Sequence, residues 1–132
     1  MPIRILAIDD CPDACSQYRL ILRQEGYRVK AVDNGFDALA ELEQRKPDLL
    51  LLEVAMHGLS GWDTLRIIRG TAGWEDIPVL VVTDLANVKK VSQGHKLGCT
   101  HYVQKPFDPG VLLTAVEDVL SEAGHPAFAA SM

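Results

Sequence analysis

The sequence predicts an α/β domain built on a doubly wound parallel sheet, and three observations carry that prediction. Short blocks, Ile5 to Ile8, Leu49 to Val54 and Val79 to Val82, are apolar except for Glu53 and end in polar residues or loops. Such blocks suit central strands covered on both faces. Segments of helical period lie between them, and cap and breaker residues stand at the joins. The size agrees: 132 residues make one domain, with 48% apolar and 23% charged residues, a globular balance rather than a disordered or fibrous one.

Taken in chain order, Ile5 to Ile8 is the first strand, and Ala14, Tyr18, Ile21 and Leu22 recur at helical spacing before Gly26. Arg28 to Val32 alternates polar and apolar and fits an outer strand. Ala38, Leu39 and Leu42 form the second helix, closed by Lys46-Pro47, and Leu49 to Val54 the third strand. Trp62, Leu65 and Ile68 mark a helix, Val79 to Val82 a strand, and Val88 and Val91 a fourth helix. His101 to Gln104 is a short outer strand. Asp108-Pro109 supplies an N-cap and a first-turn proline to a last helix carrying Val111, Leu112, Ala115, Val116 and Val119. Five βα units with short, right-handed connections place helices on both faces, and the strand order chosen is the flavodoxin-like 2-1-3-4-5. Residues 1–121 form the domain, and 122–132, with Gly124 and Pro126 and no period, read as a frayed tail.

Thirteen basic against eighteen acidic residues give a net charge of −5, which disfavours binding of nucleic acid by bulk charge. No apolar run approaches the roughly 18 residues of a membrane helix, and the N-terminus lacks the pattern of a secretory signal. A soluble, cytoplasmic protein is expected. Cys11, Cys15 and Cys99 are an odd number in a chain able to build a core, so disulfides are not expected. Cys11 and Cys15 are spaced to share a helical face as metal ligands, but lack zinc-site companions and read as packing residues.

In an open α/β sheet function gathers at the carboxyl ends of the strands, beside the switch point between the first and third. There the sequence puts Asp9-Asp10, Glu53, Thr83-Asp84 and Lys105-Pro106. Carboxylates from separate strands repel one another unless Mg²⁺, an ammonium or a raised pKa relieves them. Lys105 is available as that point charge. The plainer reading of Asp10 or Cys11 is the start of the first helix before Pro12. A flavin phosphate would be repelled by the acidic loop from Asp9 to Asp13, where Pro12 also lacks an N–H.

These residues closely resemble the receiver domain of two-component response regulators, the CheY-like family, over residues 3 to about 120. Asp9-Asp10 match the family's acidic pair, and Thr83 its hydroxyl residue, thirty positions after the phosphoacceptor slot. Lys105-Pro106, in Tyr-Val-Gln-Lys-Pro-Phe, match its lysine and proline, and Tyr102 its aromatic switch residue. The phosphoacceptor aspartate itself is replaced by Glu53. The resemblance implies an aspartate that takes a phosphoryl group from a phosphohistidine, with Mg²⁺ held by the acidic pair, the acceptor and a backbone carbonyl two residues on, here that of Ala55. Glu53 is longer by about 1.5 Å, one carbon–carbon bond, and a misplacement of about 1 Å costs on the order of a hundredfold in phosphoryl transfer. The extra length is expected to carry its oxygens toward the place the phosphoryl group would occupy, where Lys105 and the Thr83 hydroxyl could bind them.

Two further departures point the same way. Asp84 is bulky and negative where the family has a small residue, so anionic donors meet repulsion. His57 replaces a proline, freeing a backbone N–H before Gly58; it is an exposed loop histidine or, alternatively, a pH-sensitive cation or a ligand for a softer metal. The expectation is therefore a pseudo-receiver acting through protein contacts, non-enzymatic and with Mg²⁺ binding weakened or lost. The alternative is a phosphorylatable, Mg²⁺-dependent receiver that hydrolyses its own acyl phosphate. Implied partners are a histidine kinase or another signalling protein, on the face of the fourth helix, fifth strand and fifth helix or on the first helix, with a homodimer as a further option. Trp62 and Trp74 read as packing residues, Trp74 as a partner anchor if exposed. Lys89, Lys90 and Lys96 read as a solvated basic face.

Overall fold

The computed structural model describes residues 2–88, 96–99 and 101–129. In chain order they form β1 (Arg4–Ile8), α1 (Pro12–Gln24), β2 (Arg28–Val32), α2 (Gly35–Gln44), β3 (Leu49–Leu52), α3 (Gly61–Arg69), β4 (Val79–Thr83), α4 (Leu85–Val88), β5 (Tyr102–Gln104), α5 (Pro109–Glu122) and α6 (Pro126–Ala129). The strands pair in parallel in the order β2-β1-β3-β4-β5, so the flavodoxin-like α/β architecture expected from the sequence is the one observed.

Alternation along the strands divides the core. Ile5, Ala7, Leu49, Leu51, Leu80, Val82 and Val103 face α1 and α5, whereas Leu6, Ile8, Leu50, Leu52, Val79 and Val81 face α2 and α3. All four leucines of β3 are fully buried, which explains why that strand is apolar on both faces. Trp62 and Trp74 are half-buried against the second cluster and act as packing residues. The helix starts have local causes: Asn34 accepts from the Asp37 N–H at 2.8 Å, Ser60 from Asp63 at 3.1 Å and Asp108 from Gly110 at 2.7 Å. Cys11 stands at the N-cap of α1 with Pro12 following, but its side chain makes no capping bond.

Several details differ from the sequence reading. β3 ends at Leu52, so Glu53 is the first residue beyond it, and β4 runs on through Thr83. Beyond α5 the chain forms the short helix α6 in the stretch that shows no period in the sequence. Gly124, at φ +77°, turns the chain back after α5, and Phe128 of α6 packs against the first core cluster. His125 Nε2 lies 3.4 Å from Asp48 Oδ1, which fixes the turn further. Lys89, Lys90 and Val91 lie outside the described residues; Lys96 is exposed. Cys15 and Cys99 are buried free thiols and Cys11 an exposed one. Among the described residues no helix is long and apolar enough to cross a membrane.

Candidate functional site

The site is made by register. Ile8 pairs with Leu52 and with Val32, so β1, β2 and β3 end level, and the next residues emerge together. The Asp9 N–H donates to Val32 O at 3.0 Å and the Glu53 N–H to Ile8 O at 2.9 Å, which extends the ladder one step past the strands. On the other side the Lys105 N–H donates to Thr83 O at 2.7 Å. Sequence positions 9, 53, 83 and 105 thereby converge.

Glu53 is held from behind by α3. The Gly61 N–H donates to Val54 O at 3.0 Å, and a Cβ on Gly61 would lie 2.1 Å from the Glu53 carbonyl oxygen. Only glycine lets the helix approach so closely.

Asp9 and Glu53 are 1% and 8% exposed, so their charges need partners inside the protein. Lys105 Nζ bridges them, 2.7 Å from Asp9 Oδ2 and 3.0 Å from Glu53 Oε1. Glu53 Oε2 accepts from the Thr83 hydroxyl, in a short contact, and from the Ala55 N–H at 3.2 Å. Asp9 Oδ1 accepts from the Cys11 N–H at 3.0 Å, and Oδ2 also accepts from the Tyr18 hydroxyl at 2.8 Å. Burial works against the Lys105 charge, but its hydrogen bonds to Asp9 and Glu53 and their negative fields outweigh that and raise its pKa above the ordinary lysine value. Burial, with Asp9 adding to it, pushes the Tyr18 phenol far above the tyrosine range.

The remaining candidates stand around this knot. Asp10 is half-buried, and its Oδ2 accepts from the His57 N–H at 3.4 Å, so what His57 brings to the rim is its backbone; the imidazole is exposed. Asp84 is exposed and turned to its own helix, accepting from the Asn87 N–H at 2.9 Å. Tyr102 is half-buried against the second core cluster, its hydroxyl 3.2 Å from Cys99 O, and burial followed by the Cys99 thiol pushes its pKa up to about 12.

Asp9, Asp10 and Glu53 are hard oxygen donors of the kind Mg²⁺ takes. As arranged they do not fit an ion shared among them. Asp9 Oδ2 and Glu53 Oε2 each already accept two hydrogen bonds, and the ammonium lies between the carboxylates. Among the described residues no group of three His, Cys, Asp or Glu is placed to hold a metal ion.

Residues 5–117 match the family model of the response regulator receiver domain. The chain belongs to that family. It is 33% identical over 118 residues to PilH of Pseudomonas aeruginosa, covering 89% of this chain and 98% of PilH. It is 33% identical over 113 residues to the DNA-binding response regulator MtrA of Mycolicibacterium smegmatis, covering 86% of this chain but 48% of MtrA, so the chain spans about half the length of that relative. Among solved structures, the chemotaxis protein CheY4 of Vibrio cholerae superposes with a TM-score of 0.85 at 26% identity, over 90% of this chain and 99% of that one. Receiver domains are signalling modules of two-component systems, and this chain is such a module by family.

Sequence reasoning placed Asp9, Glu53, Thr83 and Lys105 together, and they are together. It missed Tyr18, counted there only as one apolar position of the first helix. The signal was available: a buried tyrosine, unlike a leucine, must find a partner for its hydroxyl.

Proposed function

We propose that this receiver is a pseudo-receiver: Glu53 stands in the phosphoacceptor position, forms a fixed internal ion pair, and leaves the module to act through protein contacts without phosphorylation. One observation carries the reading. The Glu53 carboxylate engages Lys105 through one oxygen and Thr83 through the other, the two side chains that would otherwise meet an incoming phosphoryl group. For phosphorylation a carboxylate oxygen would have to attack phosphorus in line while the leaving group departs with its electron pair. Here both oxygens are turned inward and hydrogen-bonded. The ammonium takes the place of a metal as the charge that lets Asp9 and Glu53 stay ionised side by side.

Thr83 and Tyr102 are the family's switch pair in this reading, with Thr83 drawn onto the carboxylate as it would be onto a phosphoryl group. The face offered to a partner is that of α4, β5 and α5, where Val111 is 54% exposed beside Tyr102; α1, with Leu20 64% exposed, is the second such face. The net charge of −5 favours a protein partner over nucleic acid.

The test is incubation of the native protein with acetyl phosphate and Mg²⁺, followed by intact mass. An unchanged mass is expected. A stoichiometric gain of one phosphoryl group overturns the reading and makes the chain a Mg²⁺-dependent, phosphorylatable receiver.

A further inference from the structure

Tyr18 is a core residue of α1 whose polar end the proposed function does not use. It is 1% exposed, and its ring stacks on Phe107 with centroids 5.8 Å apart and planes 7° from parallel. Phe107 lies two residues past Lys105, so the ring is gripped between α1 and the loop that delivers the ammonium. Its hydroxyl therefore has little freedom, and it donates to Asp9 Oδ2, the oxygen that also takes Lys105.

A carboxylate oxygen offers two acceptor positions. At Asp9 Oδ2 both are filled, by Tyr18 at 2.8 Å and Lys105 at 2.7 Å, while Oδ1 takes the Cys11 N–H. A divalent cation binding at Oδ2 must displace one of those donors. Displacing Lys105 from Asp9 costs that ion pair and leaves the ammonium, still held by Glu53, close to the incoming positive charge. Displacing Tyr18 strands a hydroxyl in the core, and a buried polar group without a partner is costly. No buried side-chain nitrogen or oxygen among the described residues lacks a hydrogen bond, so the rim is satisfied as it stands.

We infer that Tyr18 is a positioning residue that, with Lys105, neutralises Asp9 from the core side and sets how weakly the acidic rim takes a divalent cation. The inference rests on the proposed reading that the rim works without a metal, and it extends that reading to a residue outside the strand-end motif.

The experiment is isothermal titration of Mg²⁺ into the native protein and into Tyr18→Phe, which keeps the ring and its stack on Phe107 and removes only the donor. Tyr18→Phe is expected to bind Mg²⁺ about tenfold more tightly than native, the low end of what one hydrogen bond to a charged group is worth. Thermal melting of both proteins accompanies it, because a purely structural tyrosine would change stability and leave the ratio of affinities at one. Equal affinities, whether both weak or both strong, overturn the inference. Should Tyr18→Phe fail to fold, the hydroxyl proton of Tyr18 in the native protein supplies the second measurement: its NMR resonance must shift or broaden in step with Mg²⁺ occupancy, and saturation with the resonance unmoved also overturns the inference. Phosphorylation separates the two claims. A native protein that gains a phosphoryl group refutes the pseudo-receiver reading alone, and the affinity ratio still decides Tyr18.

Discussion

Replacing Glu53 by aspartate is the most informative single change. With the backbone fixed by the β3 ladder and by Gly61, the carboxylate retreats by about 1.5 Å, one carbon–carbon bond. The 3.0 Å contact from Lys105 to Oε1 then opens to about 4.5 Å, beyond hydrogen-bond reach, and the contact with Thr83 is lost with it. Each bond to a charged group is worth about 1.5–3 kcal/mol, but Lys105 keeps Asp9 and water fills part of the gap, so a net loss of about 2 kcal/mol is expected. In a chain of 132 residues that lowers the melting temperature by about 7 °C in the absence of metal. The vacated oxygens then face Asp9 and Asp10, and Mg²⁺ at a hundred times its dissociation constant returns about 2.7 kcal/mol, near 10 °C. The native protein, with its rim already filled, is expected to gain less at the same Mg²⁺ concentration. Calorimetric melts of both proteins with and without Mg²⁺, with intact mass after acetyl phosphate, read every step. A Glu53→Asp protein as stable as native without metal, or a native protein that responds to Mg²⁺ equally, refutes the idea that the Glu53–Lys105 pair makes the cation unnecessary. A responsive variant that still takes no phosphoryl group moves the block to Asp84 or His57.

Two further outcomes follow from the same geometry. Gly61→Ala sets a Cβ 2.1 Å from the Glu53 carbonyl oxygen and 2.5 Å from the Val54 Cα, contacts with backbone that cannot swing aside, so a loss of about 1–3 kcal/mol is expected in urea denaturation; an unchanged midpoint would mean the α3 approach does not position Glu53. Raising the pH should destabilise the fold from about pH 9 upward, because Lys105, Tyr18, Tyr102 (about 12) and Cys99 (about 11) all hold their protons more tightly folded than unfolded. The unfolded chain releases those protons first, so their contribution is complete below the unfolded pKa values and falls by up to about 1.4 kcal/mol per pH unit for each group until its folded pKa is passed. A melting temperature that stays level through pH 10.5 would contradict the assigned directions.

The fold was legible because burial on both faces writes itself into composition. Leu49 to Leu52 and Val79 to Val82 have no polar position, and the helices between them carry one apolar stripe each, so order and topology follow from few choices. The convergence of Asp9, Glu53, Thr83 and Lys105 was legible for the same reason: strands in register deliver their next residues to one rim. What was not legible is set by single atoms. No periodicity says that the Tyr18 hydroxyl shares an oxygen with Lys105, that Asp84 turns to Asn87 and away from the rim, or that Ala55 contributes its N–H to Glu53. The turn at Gly124 and the docking of Phe128 escaped because a four-residue helix is too short to show a period.

A phosphoryl group controls a receiver by arriving and leaving, and the contacts it makes with the lysine and the hydroxyl are the means. A side chain making those contacts is a ligand that never dissociates. Moving a two-state equilibrium from 1:99 to 99:1 takes about 5.5 kcal/mol of preference. On the proposed reading Glu53 supplies two charged hydrogen bonds, about 3–6 kcal/mol gross, with Lys105 shared between it and Asp9. The shared ammonium leaves the net below that requirement, so Glu53 biases the module without fixing it. The remaining preference then comes from the partner, and the output of such a module tracks the concentration of what binds it, where an ordinary receiver tracks the activity of its kinase.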